Sequence, residues 1–305
     1  MPALDLVYNP VSGSFSDDHL EALRDALIEA GFRVTPMPTT AAGARLSGEA
    51  DLVCVHGGDG TLRDTVQALG ERAGSMPICV APSGTINLVA RELGYPRSPQ
   101  RFAEAVRAAW ERGPESWVQS PLYRLGDMPI VSCVSIGPDS HAVARVDSRL
   151  KQRIGRYAYV VALAQQMREW PRDTMTIRGE LADGERFEYE AEAAIVSHAA
   201  LYAGPFQVSP GARLGADSVE LITVKRATRL GTIALSLGVL LRLPLPWQPT
   251  PKPVRPRLAF VPHATARTVS PRCPSTRTWL ARKSSTLCLP SRPTRRVSVM
   301  VASLP

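Results

Sequence analysis

An apolar run, a glycine-rich turn and the start of a helix follow one another in the stretch LVCVHGGDGT at residues 52–61. Apolar residues that lead directly into glycines are typical of a buried strand ending in a tight loop. Behind the loop, residues 62–69 carry apolar side chains at helical spacing. The stretch therefore predicts one strand–loop–helix unit.

The same unit recurs on both sides of this stretch. A second loop, Pro82-Ser83-Gly84-Thr85, also follows an apolar run and precedes a helical pattern. Repeated strand–loop–helix units predict an α/β domain with a doubly wound parallel sheet, covered on both faces. The predicted strands are residues 4–8, 32–35, 52–55 and 77–81, and the predicted helices are residues 17–30, 62–69, 87–93 and 99–112.

From about residue 117 short strands with apolar/polar alternation replace this pattern and predict an antiparallel β-sandwich domain. Asp183-Gly184 supplies a hairpin turn between two of the strands. We predict three parts: residues 1–117, residues 118–243, and a Pro/Arg-rich disordered tail at residues 244–305. The predicted strands are 123–125, 130–136, 174–178, 186–196 and 218–225, with a helical insert at 157–170.

The net charge of +8 belongs to the tail. Residues 244–305 hold eleven Lys and Arg and no Asp or Glu, which leaves residues 1–243 with 25 basic and 28 acidic groups. A basic footprint for nucleic acid is therefore not expected on the body of the protein. The longest apolar stretch, residues 230–243, is shorter than the roughly 20 residues of a membrane span. Five scattered cysteines indicate a reducing compartment, with Cys54 and Cys79 buried in strands.

Three glycine-containing loops, at residues 9–13, 57–61 and 83–87, follow predicted parallel strands, where such sheets bind ligands. Glycines allow positive φ and bring backbone N–H groups close to phosphate oxygens, and the helix after Thr61 would point its positive end at the same anion. Among such amides the carboxylate of Asp59 needs a Mg²⁺ ion, a water or a ribose hydroxyl as its partner. An ordinary tight turn is the alternative for any one loop taken alone.

With these motifs the chain resembles the diacylglycerol kinase catalytic-domain family, which includes bacterial lipid kinases and sphingosine and ceramide kinases. The resemblance spans residues 4–243. It is carried by Gly57-Gly58-Asp59-Gly60-Thr61 and by the segments Asn9-Pro10-x-Ser12-Gly13, Thr39 before Gly43, Gly84-Thr85-x-Asn87-x-x-Ala90-Arg91, Ser135-x-Gly137-x-Asp139, Tyr202-Ala203-Gly204-Pro205-Phe206 and Pro210-x-Ala212.

The resemblance implies an NAD-kinase/diacylglycerol-kinase-like fold with ATP in a cleft between the two domains. It implies transfer of the ATP γ-phosphate, with Mg²⁺, to the hydroxyl of diacylglycerol or a related long-chain alcohol. Asp59 is the catalytic candidate. The nucleotide-binding candidates are Asn9, Thr39, Gly57, Gly58, Asp59, Gly60, Thr61, Gly84, Thr85 and Asn87.

Two departures from the family pattern concern carboxylates. The family's Asp-Gly after the Pro-x-Ala segment is replaced by Ala216-Asp217, so that Asp217 is a displaced candidate metal ligand. The acid-free tail cannot supply the family's C-terminal catalytic carboxylate, and a reading-frame shift near residue 244 is our hypothesis for this. A nucleotide- or lipid-binding protein without activity and an NAD-kinase-like enzyme are the alternatives.

The expected partner is a lipid presented at a membrane surface, with a homodimer left open and no nucleic acid. The expected location is the cytoplasm, peripherally on the inner face of the membrane. Basic residues at 145–156 could face anionic headgroups, although a solvated surface is the commoner explanation. His56 is interpreted as a loop histidine and Asp183-Gly184-Glu185 as a hairpin turn.

Overall fold

The computed structural model describes residues 1–12, 15–125, 127–138, 140, 161, 165, 173–181, 183–202, 204, 206–231, 259–262, 287–288 and 296–299. Several predicted features lie outside these residues. They are Gly13, Asp139, Ala203, Pro205, the basic residues at 145–156, nearly all of the helical insert, the apolar stretch beyond residue 231 and most of the tail.

The first 121 residues form an α/β domain around a sheet whose first four strands are parallel, in the order β2-β1-β3-β4. The strands are β1 (Ala3–Tyr8), β2 (Arg33–Pro38), β3 (Leu52–Gly57), β4 (Ile78–Pro82) and β5 (Val118–Pro121). The helices are α1 (Asp17–Glu29), α2 (Asp59–Leu69), α3 (Leu88–Glu92) and α4 (Pro99–Arg112). Short 3₁₀ turns follow α2 and α4, at Gly70–Gly74 and Pro114–Ser116.

Burial explains why the sequence forms this sheet. Every residue of the central strand β3 is buried, which requires cover on both faces and confirms the doubly wound arrangement. Leu23 and Leu27 of α1 and Phe102 and Val106 of α4 are fully or almost fully buried in the same core. The helical spacing in the sequence therefore marked the faces that cover the sheet.

The second domain consists of antiparallel strands with a separate core that begins at Tyr123. One sheet has the order β14-β11-β8, another contains β9 and β10, and two small hairpins are β6-β7 and β12-β13. The strands are β6 (Tyr123–Leu125), β7 (Met128–Ile130), β8 (Cys133–Ile136), β9 (Met175–Glu180), β10 (Arg186–Ala191), β11 (Ala193–Ser197), β12 (Leu201–Tyr202), β13 (Phe206–Gln207) and β14 (Glu220–Val224).

Two predicted strands are each divided in the structure. The single strand predicted at residues 186–196 breaks at Glu192, where the chain leaves the sheet of β9 for the sheet of β14. The Glu192 carboxylate is buried and accepts a hydrogen bond from the Ala227 N–H at 2.8 Å. Residues 130–136 likewise break between β7 and β8. An apolar/polar pattern cannot show where a chain changes sheets, because the alternation continues through the break.

Three short strands are described within the tail, for which the sequence predicts disorder. They are β15 (Ala259–Pro262), which pairs with β9, β16 (Leu287–Cys288), which pairs with β15, and β17 (Arg296–Val299), which lies between β4 and β5. The division at residues 117 and 118 stays a prediction. β5 still belongs to the first sheet, and the second core begins shortly after it.

The cysteine prediction is confirmed in the first domain. Cys54 and Cys79 face each other on β3 and β4 and are fully buried, and burial together with Cys54 raises the pKa of the Cys79 thiol. They therefore act as small apolar side chains in the core. Among the helices that the structure describes, none combines the length and apolarity needed to cross a bilayer.

Candidate functional site

The carboxyl ends of four neighbouring strands form one edge of the parallel sheet. Tyr8 lies beside Pro38 on one side and His56 on the other, and Gly57 lies beside Pro82. Asn9, Thr39 and the two glycine loops follow these strand ends. Since parallel strands are about 4.8 Å apart, three such steps place these loops within about 14 Å of one another along the edge. This is the position at which open α/β sheets bind ligands.

The first glycine loop, residues 57–61, and the second, residues 83–87, touch through their backbones. A Cβ atom built on Gly84 would lie 2.5 Å from the Cα of Gly58 and 2.9 Å from its nitrogen. Such distances are not found between real atoms, so that only glycine at residue 84 allows the second loop to lie against the first. The structure therefore brings together the two glycine motifs, which are about 25 residues apart in the sequence.

Asn87 fixes the shape of the second loop. Its side-chain Oδ1 accepts a hydrogen bond from the Gly84 N–H at 2.8 Å, and its Nδ2 donates one to the Gly84 carbonyl oxygen at 2.6 Å. Asn87 is buried and adopts the left-handed conformation with φ +56°, which asparagine tolerates better than most residues. The structure thus places this predicted nucleotide-binding residue beneath the loop as its brace.

Asp59 connects the first glycine loop to helix α3. Its Oδ2 accepts a hydrogen bond from the Leu88 N–H at 3.0 Å, and its Oδ1 accepts one from the Val89 N–H at 3.1 Å. Burial raises the pKa of the Asp59 carboxyl above its usual range, and these two amides partly offset that effect. Asp59 therefore satisfies the first amides of α3, which has no capping side chain of its own. Each oxygen keeps a second lone pair for another partner.

The remaining loop glycines have different roles. A Cβ on Gly57 would lie 2.6 Å from the Thr61 side chain, so Gly57 makes room for that buried threonine. Gly60 is exposed, and a Cβ there would meet nothing within 4 Å. Glycine allows positive φ, but none of Gly57, Gly58, Gly60 and Gly84 adopts it, and the positive φ in the second loop is at Asn87. Gly58 and Gly84 allow the two backbones to lie close together, and Gly60 leaves open space beside the backbone.

The other nucleotide-binding candidates lie along the same edge. The Asn9 side chain accepts the Val11 N–H at 3.0 Å and forms a turn directly after β1. The Thr39 N–H donates to the Tyr8 carbonyl oxygen at 2.8 Å, which ties the end of β2 to the end of β1. Thr85 is partly exposed in the second glycine loop. Asn9, Thr39 and Thr85 thus follow strand ends along one edge of the sheet, and their contact with a nucleotide stays a prediction.

His56 is a buried strand residue, which corrects its interpretation as a loop histidine. Its Nε2 lies 3.0 Å from Nδ1 of His19 on α1, and its own Nδ1 has no hydrogen-bond partner among the described residues. Burial, followed by the nearby charge of His19, lowers the pKa of His56 to about 4. One nitrogen of the pair must donate and the other accept, so the pair requires at least one neutral ring.

The buried histidines predict acid sensitivity. Burial also lowers the pKa of His198 to about 4, whereas an unfolded histidine titrates near 6.5. Between these values the unfolded chain binds more protons, so stability is complete above about pH 6.5 and is lost as the pH falls towards 4. We expect each histidine to reduce the free energy of unfolding by about 2 kcal/mol between pH 7 and pH 5.

Urea unfolding at pH 7 and pH 5 measures this loss, and the variant His56→Gln should show a smaller loss than the parent chain. An NMR titration of the parent chain checks the cause without any variant. A His56 ring that protonates near pH 6.5 in the folded protein would contradict the prediction.

Asp217 lies apart from the glycine loops in the sequence, in the exposed turn before β14. In the part of the chain that the structure describes, no three His, Cys, Asp or Glu side chains cluster in a way that could hold a metal ion. The role of Asp217 as a metal ligand therefore stays a prediction.

Three residues with polar contacts between separate elements of the fold were not found by sequence reasoning. Glu220 of β14 is held against the preceding turn by the N–H groups of Gly211 and Ala212, and burial raises the pKa of its carboxyl.

Glu92 ends α3 and contacts the second domain, and His19 contacts His56. For Glu92 the only available signal was its place directly after the Gly84-to-Arg91 motif, because its partners are more than 100 residues away.

Comparison with known proteins agrees with this geometry. A model of the diacylglycerol kinase catalytic domain matches residues 3–114. A diacylglycerol kinase of Bacillus subtilis (strain 168) is 25% identical over 244 residues, 75% of this chain and 78% of that protein. One from Staphylococcus carnosus (strain TM300) is 25% identical over 232 residues, 73% of this chain and 72% of that protein.

Solved structures show the same fold. The crystal structure of a diacylglycerol kinase from Bacillus anthracis str. Sterne covers 98% of this chain and 97% of its own, with a TM-score of 0.63 and 16% identity. The sheet edge with its two touching glycine loops lies almost wholly within the matched residues 3–114. Residues 3–114, which contain this edge, are therefore similar to the diacylglycerol kinase catalytic domain.

Proposed function

We propose that the chain is an ATP-dependent lipid kinase that transfers the γ-phosphate of ATP to the hydroxyl of diacylglycerol or a related long-chain alcohol. The observation that carries the proposal is the backbone contact between Gly58 and Gly84. It sets the two loops side by side at one strand edge, beside the start of helix α2. The similarity to proteins named diacylglycerol kinase supports the choice of acceptor.

The residues present fit a triphosphate. Helix α2 begins at Asp59, so its N-terminal amides and the positive end of its dipole lie beside the first glycine loop. The open space around Gly60 lets an anion approach the backbone. Asn9, Thr39 and Thr85 extend the edge for the rest of the nucleotide. In this proposal these residues hold ATP, while the antiparallel second domain, called the β domain below, presents the lipid at a membrane surface.

Magnesium would neutralise charge on the transferring phosphoryl group when it is bound. Mg²⁺ is commonly held by one or two carboxylates together with phosphates and water, so the donor set here is sufficient without a cluster of three. Asp59 is the carboxylate that would contribute at the first loop, and Asp217 is the second candidate. Positioning by the loops carries most of the catalysis in this class of reaction.

A second candidate function is nucleotide binding without transfer. Both carboxylate oxygens of Asp59 are engaged with α3, and residues 244–305 hold no Asp or Glu that could act as a base. A missing general base lowers a rate by roughly 10²–10⁴-fold. Such a protein would bind ATP at the same edge and release it unchanged.

One set of measurements separates these functions. The full chain is incubated with γ-labelled ATP and Mg²⁺, with diacylglycerol micelles in one reaction and NAD in another, beside an ATP-binding titration. We expect labelled lipid, and loss of that label in the variant Gly84→Ala. ATP binding without any labelled product would favour the inactive binding protein, and labelled NAD would overturn the lipid assignment.

A further inference from the structure

Glu92, the last residue of α3, joins the two domains. One of its carboxylate oxygens, Oε2, accepts a hydrogen bond from the Ala200 N–H at 2.8 Å. The other oxygen, Oε1, accepts one from the Leu214 N–H at 3.1 Å. The donors are 108 and 122 residues further along the chain, in two different loops of the β domain. One side chain of the first domain thus holds two loops of the second.

Each of these two loops is already shaped by local hydrogen bonds. The loop before β12 is fixed by the Ser197 hydroxyl, which donates to the Ala199 carbonyl oxygen at 2.6 Å. The turn before β14 is closed by the Ala212 N–H bonding to the Ser209 carbonyl oxygen at 3.1 Å and by the Glu220 carboxylate. Glu92 is therefore not the sole support of either loop, and its two hydrogen bonds tie both loops to the first domain, against which Leu214 also packs.

The opposite end of α3 is held by the first glycine loop. Asp59 accepts the amides of Leu88 and Val89 at the start of this helix, and Glu92 is its final residue. Four residue steps of an α-helix rise only about 6 Å. A single short helix thus connects the predicted phosphate-binding loop to the β domain, with a carboxylate contact at each end.

We propose that Glu92 is a positioning residue, which holds the β domain at the distance from the nucleotide loops that phosphate transfer requires. The proposal rests on the proposed function, since it assigns the nucleotide to one domain and the acceptor to the other. A carboxylate is suited to the task because both of its oxygens accept. A glutamine offers only one oxygen and sets its NH₂ group against the second N–H.

The test compares Glu92→Gln with Glu21→Gln, a matched change of an exposed glutamate on α1. Backbone hydrogen exchange of the full chain reports the two bonds directly. We expect about tenfold faster exchange at whichever of the Ala200 and Leu214 amides faces the NH₂ group in Glu92→Gln, because that amide loses its hydrogen bond to a charged group. For phosphate transfer to diacylglycerol we expect kcat to fall about tenfold while the Kd for ATP stays within about twofold. This is the result expected when the two domains lose their alignment and the nucleotide loops stay intact.

The control Glu21→Gln should leave both readouts unchanged. If Glu92→Gln does not fold, Glu92→Asp replaces it. The shorter carboxylate keeps its charge but reaches one amide at most, so exchange should rise at one of the two sites. Unchanged exchange at both sites would overturn the proposal, and so would an unchanged kcat beside faster exchange, which would leave Glu92 a purely structural role.

The proposed function fails separately, if the parent chain transfers no phosphate to lipid. Exchange with and without ATP and Mg²⁺ then tests Glu92. Protection of Ala200 and Leu214 by ATP in the parent chain, and its loss in Glu92→Gln, supports the coupling. Equal exchange with and without ATP in the parent chain overturns it.

Discussion

Replacing Gly84 with alanine is expected to weaken ATP binding strongly and to destabilise the first domain. The new Cβ would lie 2.5 Å from the Cα of Gly58 and 2.6 Å from Oδ1 of Asn87. Two of the three atoms that it meets belong to the backbone of Gly58, so the two loops must separate. Overpacking of this kind lowers the free energy of unfolding by about 1–3 kcal/mol. Separation of the loops should weaken ATP binding more than a hundredfold.

Gly60→Ala is the matched control. Its Cβ meets nothing within 4 Å, and residue 60 lies in the first turn of α2. An alanine there should raise the free energy of unfolding by about 0.5–1 kcal/mol, because glycine is unfavourable in helices. Urea unfolding of both variants, with Gly60→Ala as the control for stability only, and an ATP titration of Gly84→Ala against the parent chain provide the comparison. Equal stability of the two variants, or unchanged ATP binding in Gly84→Ala, would contradict the role of the loop contact.

Asp59→Ala is expected to remove phosphate transfer and also to loosen α3. Without the carboxylate, the amides of Leu88 and Val89 lose their acceptor. Hydrogen bonds to a charged group contribute about 1.5–3 kcal/mol each, so the two together should lower the free energy of unfolding by about 3 kcal/mol or more. Inactivity of this variant alone therefore cannot identify Asp59 as a catalytic residue.

Asp59→Asn separates the two roles of this residue. Its single oxygen can accept one amide of α3, so stability should recover in part, while a charge needed for catalysis stays absent. Asp64→Asn serves as the control, since Asp64 forms an exposed ion pair with Arg63 on the same helix. Urea unfolding and turnover of labelled lipid are measured for all three variants. Full activity in Asp59→Asn would remove the charge of Asp59 from the mechanism.

Local patterns predicted the first domain well. An apolar run before glycines, and leucines three and four residues apart, predicted β3, α1 and the parallel sheet, because such patterns directly indicate which faces are buried. The same reasoning missed the divisions of the strands at residues 130–136 and 186–196. Those breaks depend on which sheet the chain joins next, and a strand pattern carries no information about its partner.

The candidate site, like the fold, was predicted from the sequence only in part. The sequence by itself determined that two glycine loops and a row of polar residues follow predicted parallel strands, because the apolar runs and the loop composition are local properties. Only the tertiary structure decided that Gly84 lies against Gly58, that Asp59 and Asn87 brace the loops, and that Glu92 holds the second domain. Apart from the brace by Asn87, these roles arise from contacts between residues distant in the chain, whose geometry exists only once the chain has folded.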